Sequence, residues 1–335
     1  MARILITGGT GFLGSHLLKR LSRGRNEIFC LARRPAVLAN RGRITWIIGD
    51  ITDPSSYKRF LKKTDYIYHL AGIVNARRTD QYAQANVLGT KALLEACSQV
   101  AGTLKRFVYV SSIAAMGPIS HKGLLDETLP CHPITEYGKS KLAAETAALE
   151  YSIEFPLVII RPSFIYGRGD KRGLSILTSL LAHPAGAFRS SIKTISLCHV
   201  SDVIRCCLLA GLKKIRSGEV FIVSDGEVHT WENLRVIVHD ICSRLGIIDV
   251  ESPLTIRADF STSDDDPRGR HYWGCDISKV KSTLGYEPTI RLKNGALDTI
   301  RWYLRNGHIE EHNSVLEGSE LSNGDNYAAE SYQTR

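Results

Sequence analysis

Short apolar runs rich in β-branched residues alternate with longer amphipathic stretches through the first 160 residues. Several of these runs are apolar without interruption, as at residues 4–6 and 158–160, which is typical of strands that helices cover on both faces. Repeated β-α-β units predict an α/β fold with a Rossmann-type, doubly wound parallel sheet. The predicted strands cover residues 3–7, 27–32, 44–48, 66–70, 106–110 and 157–160, and the predicted helices cover 11–21, 55–62, 82–99 and 135–151.

The pattern becomes less regular after residue 161, which predicts a second, smaller lobe in the C-terminal half. We expect the first domain to cover residues 1–165 and this lobe to cover 166–305, with the chain crossing back to the sheet. Residues 306–335 are polar and acidic and are expected to be disordered. The predicted strands of this half cover 194–197 and 219–223, and the predicted helices cover 174–182, 231–245, 276–284 and 292–306.

Composition excludes several classes of protein. No apolar run reaches the ~18 residues of a membrane span, and strand 3–7 leaves no room for a signal peptide. The eight cysteines include no C-x-x-C pair, which favours buried thiols in the reducing cytoplasm and predicts no metal site.

The net charge of +9 understates the charge of the folded part. Residues 306–335 contain six acidic residues and one arginine, so the first 305 residues carry +14. A basic excess suits nucleic acid, an anionic membrane surface or a phosphate-bearing ligand. The basic residues occur in scattered pairs without interleaved aromatic residues, so we expect a small-molecule ligand and no nucleic acid.

A glycine-rich turn joins the first strand to the first helix, where residues 6–14 read Ile-Thr-Gly-Gly-Thr-Gly-Phe-Leu-Gly. Glycines in this context permit a tight turn and let the backbone approach a pyrophosphate. The helix N-terminus then offers N–H donors to the phosphates. The predicted cofactor contacts of this turn are Gly8, Gly11, Phe12, Leu13 and Gly14. Residues 1–165 are therefore the expected dinucleotide-binding domain, and the lobe over 166–305 is expected to bind the substrate.

The end of the second strand bears on the choice between NAD and NADP. No acidic residue follows this strand to bind a ribose hydroxyl, and Arg33 and Arg34 occupy its end. Two guanidinium groups suit a 2′-phosphate, which favours NADP, although both could simply be solvated. After the third strand, Asp50 and Ile51 are expected at the adenine. Either Asp50 or Asp53 could instead cap the helix that follows Pro54, a role that suits Asp53 better than Asp50.

Tyr137 and Lys141 are four residues apart on a predicted helix and therefore share one face. A free phenol has a pKa near ~10, and a neighbouring ammonium stabilises its phenolate, which suits proton transfer to and from a carbonyl oxygen. Ser111 and Ser112 follow the fifth strand on the ligand side of the sheet. A hydroxyl there would position a substrate oxygen, although loop serines more often cap local backbone.

The ordered set of these motifs resembles the extended short-chain dehydrogenase/reductases, the NAD(P)-dependent epimerase/dehydratase group, over about residues 2–305. The segments that carry the resemblance are Gly8 to Gly14, Asp50, Leu70-Ala71-Gly72, Asn86, residues 110–114, Tyr137 with Lys141, Arg161-Pro162-Ser163, Tyr166-Gly167 and His199-Val200-Ser201-Asp202.

The resemblance implies a role for each segment. Ser112 would be the catalytic hydroxyl, Tyr137 the acid/base and Lys141 its electrostatic partner. Asn86 would tie its helix to neighbouring backbone, and a buried pair of His199 with Asp202 would be structural. The resemblance places further cofactor contacts at Leu70, Ala71, Gly72, Pro162 and Ser163. We also expect a homodimer.

The reaction within the family is narrowed by a few positions. The related 4,6-dehydratases carry an Asp-Glu pair where this chain has Ile113 and Ala114, which cannot transfer protons. Nucleotide-sugar 4-epimerases with tightly bound NAD remain an alternative, since residues 276–279 look like their C-terminal signature. Their diphosphate-binding arginine falls near Asp265, so Arg268 and Arg270 are the candidate substrate-binding residues.

Our primary hypothesis is an NADP-dependent oxidoreductase acting on a secondary alcohol or ketone, similar to the dihydroflavonol reductase and 3β-hydroxysteroid dehydrogenase branch. The short stretch from Gly72 to Asn86 leaves little room for an elaborate sugar-binding insert. A third alternative is a dinucleotide-binding sensor without catalysis. Both Tyr137 and Lys141 are present, which argues against that class.

Overall fold

A computed structural model describes residues 1–35, 44–170, 173, 176, 191–248 and 271–309. Its strands are β1 (Arg3–Thr7), β2 (Glu27–Ala32), β3 (Ile44–Ile48), β4 (Tyr66–His69), β5 (Arg106–Val110), β6 (Leu157–Pro162), β7 (Phe164–Tyr166), β8 (Ile192–Ile195), β9 (Leu197–His199), β10 (Glu219–Val223) and β11 (His271–Trp273).

The helices lie mainly between the strands of the sheet. They are α1 (Phe12–Leu21), α2 (Lys58–Leu61), α3 (Asp80–Tyr82), α4 (Gly89–Ser98), α5 (Glu136–Glu150), α6 (Val200–Leu212), α7 (Trp231–Arg244), α8 (Ser278–Leu284) and α9 (Leu292–Arg305). A π-helical turn, Ala83–Leu88, joins α3 to α4, and short 3-10 turns cover Pro54–Ser56, Ala101–Thr103, Ile113–Ala115 and Tyr151–Ile153.

The central sheet has seven parallel strands in the order β10-β6-β5-β4-β1-β2-β3. The chain moves outward from β1 to β3 and then returns to β4 on the other side of β1. This reversal is the switch point at which α/β sheets of this kind bind ligands beyond the carboxyl ends of their strands. The predicted Rossmann-type fold is therefore confirmed.

Each face of the sheet has its own apolar core. Successive strand residues point to opposite faces, so Ile4 and Ile6 pack with Leu17 of α1, whereas Leu5 packs with Leu93 of α4 on the other side. All of these side chains are buried. Because helices cover both faces of the sheet, the side chains on both sides of each strand are apolar, which explains the uninterrupted apolar runs in the sequence.

The C-terminal half contains elements that the sequence pattern missed. Helix α6 packs into the core beside α1 with most of its residues buried, and its unbroken apolar run from Cys206 to Ala210 obscures the helical period. The single strand predicted over 194–197 is wrong, because the chain divides there into β8 and β9. The three-residue strands β7 and β11 were too short to predict.

Strand β10 returns from this half to pair with β6 in the central sheet, as expected. The division into two domains at residue 165 stays a prediction. Most of the helix predicted over 174–182, and the acidic tail beyond residue 309, lie outside the described residues.

All eight cysteines are free thiols, and seven of them are buried. Within the described ranges, no helix is long and apolar enough to cross a bilayer, and no group of histidine, cysteine or acidic side chains could hold a metal ion.

Candidate active site

The glycine-rich turn packs tightly on the chain that leaves β4. Gly8 has a φ of 73°, and a Cβ there would lie 2.6 Å from the Ala71 nitrogen and 2.7 Å from the Leu70 carbonyl carbon. A Cβ at Gly14 would overlap the Gly8 carbonyl oxygen. Glycine is therefore required at both positions, and the turn is held directly against the predicted cofactor contacts Leu70 and Ala71.

The N-terminus of α1 provides an open cradle beside this turn. Gly11 precedes the helix in an extended conformation, and a Cβ there would meet only the Gly8 carbonyl oxygen, at 3.3 Å. The first backbone N–H groups of a helix have no intrahelical acceptor. Those of Phe12, Leu13 and Gly14 can therefore receive a pyrophosphate, so these residues fit a dinucleotide.

Arg33 and Arg34 are exposed at the carboxyl end of β2. After β3, the Asp50 carboxylate accepts hydrogen bonds from the Thr52 nitrogen at 2.9 Å and hydroxyl at 2.8 Å. These bonds, with a smaller contribution from the Arg33 charge, lower the pKa of Asp50 below its ordinary value. The Asp50 side chain thus caps local backbone, and Asp53 does the same for the Ser55 nitrogen at 3.1 Å.

The Ser112 and Tyr137 segments are in direct contact. Helix α5 begins after Thr135, whose hydroxyl accepts from the Gly138 nitrogen at 3.0 Å. A Cβ at Gly138 would overlap the Ala114 carbonyl oxygen, so the first turn of α5 lies on the 3-10 turn after Ser112. The Ser112 hydroxyl accepts from the Ala114 nitrogen at 3.1 Å. The alternative role of Ser112 as a local cap is therefore observed, and the hydroxyl hydrogen stays available for another acceptor.

Lys141 lies beneath these two segments and is buried. Its Nζ donates to the Val110 carbonyl oxygen at 2.8 Å and lies 4.5 Å from the centroid of the Tyr109 ring. Burial lowers the pKa of Lys141 to about 7, against a smaller opposing effect of Glu145. Val110 is the last residue of β5, so the structure brings Lys141 and the Ser112 and Tyr137 segments together at the carboxyl end of that strand.

A buried histidine that the sequence analysis missed connects the glycine-rich turn to the helix before α5. The Thr90 hydroxyl donates to the Asn86 carbonyl oxygen at 2.6 Å, so His69 Nε2 must donate to Thr90 across 2.9 Å. His69 Nδ1 then accepts from the Thr7 hydroxyl at 2.7 Å, and Thr7 accepts from the Ala71 nitrogen at 3.2 Å. This chain of bonds requires a neutral imidazole, and burial lowers the pKa of His69 to about 3.

Asn86 is buried in the π-helical turn and holds three partners. Its Oδ1 accepts from the Ile73 nitrogen at 2.7 Å, and its Nδ2 donates to the Ile73 carbonyl oxygen at 3.0 Å and the Ser140 hydroxyl at 2.9 Å. Ser140 donates in turn to the Tyr137 carbonyl oxygen at 2.7 Å. The expected structural role of Asn86 is confirmed. Gly72 lies beside it, since a Cβ at Gly72 would be 3.0 Å from Asn86 Oδ1.

The end of β6 is fixed by a buried ion pair. Arg161 donates to both carboxylate oxygens of Glu145, with the shortest contact 2.6 Å from Nη2 to Oε2. Arg161 therefore points to α5, and Pro162 and Ser163 follow it at the carboxyl edge of the sheet. The Ser163 hydroxyl is buried, and none of the residues described offers it a hydrogen-bond partner, so it is free for a bound molecule. The role of Glu145 was not predicted, although its position four residues after Lys141 on one helix face was a usable signal.

The sequence predicted roles for two pairs of residues in the C-terminal half, His199 with Asp202 and Arg268 with Arg270. His199 and Asp202 are both buried, but the prediction that they pair is wrong. The Asp202 carboxylate accepts from the backbone nitrogens of Thr289 and Ile290 at 3.0–3.2 Å, while His199 Nδ1 accepts from the Ser201 nitrogen at 3.3 Å. The predicted substrate contacts Arg268 and Arg270 lie outside the described residues.

Comparisons with known proteins extend over most of the chain. A model described as "NAD dependent epimerase/dehydratase family" matches residues 4–224. UDP-glucose 4-epimerase of Vibrio cholerae is 30% identical over 90% of this chain and 95% of its own length. A 3-beta-hydroxysteroid dehydrogenase of Mycolicibacterium neoaurum is 29% identical over 90% of this chain and 92% of its own length. The solved structure of MoeE5 in complex with UDP-glucose and NAD has a TM-score of 0.74 at 26% identity, covering 91% of this chain and 99% of that one.

Proposed function

The chain belongs to the NAD-dependent epimerase/dehydratase family, which confirms the resemblance seen in the sequence, and we propose that it transfers hydride between a nicotinamide cofactor and a secondary alcohol or ketone. The packing of Gly138 on the Ala114 carbonyl carries this proposal, because it joins the Tyr137 turn to the Ser112 turn above buried Lys141. The protein is accordingly an NAD(P)-dependent enzyme of the extended short-chain dehydrogenase/reductase type.

In the proposed mechanism, Ser112 donates its hydroxyl hydrogen to the substrate oxygen and fixes that oxygen beside Tyr137. Tyr137 gives its phenolic proton to this oxygen during reduction and takes it back during oxidation. Lys141 in its ammonium form stabilises the phenolate. The hydrogen bond from Lys141 to the Val110 carbonyl keeps the ammonium next to β5 while the proton moves.

We assign the cofactor to the carboxyl edge of the sheet. Gly8, Gly11, Phe12, Leu13 and Gly14 would hold the pyrophosphate, and Arg33, Arg34, Asp50 and Ile51 would surround the adenosine. Leu70, Ala71 and Gly72 would lie beneath the cofactor, and Pro162 and Ser163 would border the nicotinamide with Tyr137 and Lys141. When bound, the nicotinamide supplies or accepts the hydride. The exposed Arg33 and Arg34 support a preference for NADP.

A nucleotide-sugar 4-epimerase is the second candidate, and the 30% identity to UDP-glucose 4-epimerase of Vibrio cholerae favours it. An epimerase regenerates its cofactor in each turnover and has no need to release it. NAD recovered from the denatured protein at about one molecule per chain would favour the epimerase. A purified protein that lacks cofactor and consumes NADPH with a ketone would favour the reductase.

The catalytic assignment is tested by Tyr137→Phe. With a ketone that the wild type reduces, we expect this variant to lose turnover by about 10²–10⁴-fold while its cofactor dissociation constant stays nearly unchanged. Tyr151→Phe, at the other end of α5, is the matched control and should keep wild-type turnover. Substantial turnover by Tyr137→Phe would refute the assignment.

Three further proposals follow from the sequence and composition. Arg268 and Arg270 remain the proposed contacts for an anionic substrate.

Eight free thiols support function in a reducing compartment such as the cytoplasm. A homodimer is supported by exposed apolar side chains at Leu88, Leu149 and Ile153, and sedimentation velocity would test it.

A further inference from the structure

An open cleft of about 490 Å³ lies beside α1, away from the catalytic residues. Lys19 and Arg20 of α1 and Arg23 just after it line one side, and Arg168 and Arg205 line other parts of it. Ser112, Tyr137 and Lys141 do not line the cleft. It is therefore a separate concave site, of a volume suited to a small ligand.

The charge of this cleft is only partly neutralised. Arg168 forms an ion pair with Asp298, whose Oδ2 is 2.6 Å from Arg168 Nε, and Arg205 pairs with Asp202 at 3.1 Å. Among the described residues, Lys19, Arg20 and Arg23 form no such pair. Their like charges lie within four residues of one another along the chain and repel each other. The position of Lys19 and Arg20 in the last turn of α1 offsets part of this cost, because a helix C-terminus favours cations.

A second feature of the cleft is the buried ring of His199 at its wall, which holds a hydrogen-bond donor that the helix dipole does not explain. His199 lines the cleft and has a relative exposure of 7%. Its Nδ1 accepts from the Ser201 nitrogen at 3.3 Å, so in the neutral ring Nε2 carries the hydrogen. No described residue accepts a bond from Nε2, which lies beside Gly167 in the loop that carries Arg168. A buried donor without an acceptor costs free energy that a bound anion would recover.

We propose that this cleft binds a small free ligand bearing two or more phosphate-type negative charges. Arginine forks and a lysine ammonium bind phosphate oxygens through charge-assisted hydrogen bonds, and the His199 Nε2–H supplies a further donor. The concave shape favours a small molecule over a flat membrane surface. This site is independent of the proposed hydride transfer, and it assigns a function to basic residues that the cofactor does not use.

The test is a calorimetric titration of the full chain with inorganic tripolyphosphate. One equivalent of NADP per chain is supplied beforehand, so the glycine-rich turn is occupied while little free NADP remains to compete at the cleft. The ionic strength is held constant because salt screens exposed charges. The cleft variant is Lys19→Ala with Arg23→Ala. The matched control is Lys62→Ala with Lys63→Ala, which removes two exposed cations at the end of α2.

We expect saturable binding at one site by the wild type and by the control, with dissociation constants within about twofold of each other. The cleft variant should bind at least about tenfold more weakly, since two charged contacts are lost. A second variant, His199→Asn, keeps an acceptor for the Ser201 nitrogen while removing the Nε2 donor, and should weaken binding several-fold. Circular dichroism checks that each variant is folded.

Three results would overturn the proposal. The first is no saturable binding of tripolyphosphate by the wild type. The second is an equal loss of affinity for tripolyphosphate in the cleft and control variants, which would indicate a diffuse effect of net charge. The third is binding to vesicles containing phosphatidylglycerol without binding of free tripolyphosphate, which would make this face a membrane contact.

Discussion

At the scale of single residues, the proposed chemistry depends on Lys141, which is buried beneath the turns that carry Ser112 and Tyr137. Desolvation disfavours the charged form of such a lysine, which is why its pKa is lowered to about 7. The i, i+4 spacing in the sequence predicted that Lys141 shares a helix face with Tyr137. Its bond to the Val110 carbonyl and its contact with the Tyr109 ring depend on the packing of α5 on β5, which no local pattern encodes.

Because the pKa of Lys141 is lowered, the difference in stability between the wild type and Lys141→Met should depend on pH when no cofactor is bound. Between about pH 7 and the ordinary lysine value of 10.5, the unfolded wild type holds a proton on Lys141 that the folded protein lacks. The stability of the wild type relative to the variant should therefore rise with pH in this window, by at most about 1.4 kcal/mol per pH unit.

Urea unfolding of both proteins at about pH 7, 8 and 9 would measure this difference. The difference should flatten below pH 7, where Lys141 is protonated in both states. A free-energy difference that stays constant from pH 7 to pH 9 would contradict the assigned environment of Lys141.

At the scale of elements, the sequence predicted nearly all of the helices and strands that carry the site. Strands β1, β2, β3 and β5 have the expected bounds, because each is an apolar run between clear turn signals. The pattern failed at α6, where most residues are buried in the core and few polar positions mark the helical period. It also gave no hint that Gly138 matters, since the close approach of α5 to Ala114 joins segments distant in sequence.

Gly138→Ala tests whether this approach positions the catalytic segments. The added methyl would overlap the Ala114 carbonyl oxygen and push α5 away from the turn after Ser112. We expect a loss of stability of about 1–3 kcal/mol and a larger proportional loss of kcat than of cofactor affinity. Gly102→Ala is the matched control, because a Cβ there has no atom within 4 Å. Wild-type kcat in Gly138→Ala would show that the contact is dispensable.

At the scale of the whole molecule, the basic excess divides into parts with different proposed functions. Arg33 and Arg34 are assigned to the cofactor and Lys141 to Tyr137. The cations at the end of α1 and just after it, Lys19, Arg20 and Arg23, are assigned to a separate anion. The sequence predicted the first two groups from motifs. The α1 cleft could not be predicted, because Arg168 and Arg205 reach it from loops and helices far along the chain.

The cofactor assignment predicts a selective effect of Arg33→Ala with Arg34→Ala. Each lost charge-assisted hydrogen bond to the 2′-phosphate is worth about 1.5–3 kcal/mol, so NADPH should bind at least about tenfold more weakly. The dissociation constant of NADH should change less than about twofold, since NADH lacks that phosphate. Fluorescence titration of both cofactors measures the effect, and tighter binding of NADH than of NADPH by the wild type would overturn the preference.

Transfer of deuterium from a nicotinamide cofactor labelled at C4 tests hydride transfer most directly. In a single turnover with a ketone that the enzyme reduces, the wild type and Tyr151→Phe should place deuterium on the carbon that bears the new hydroxyl. Tyr137→Phe should form this product about 10²–10⁴-fold more slowly. Product that forms at the wild-type rate without deuterium would contradict the account.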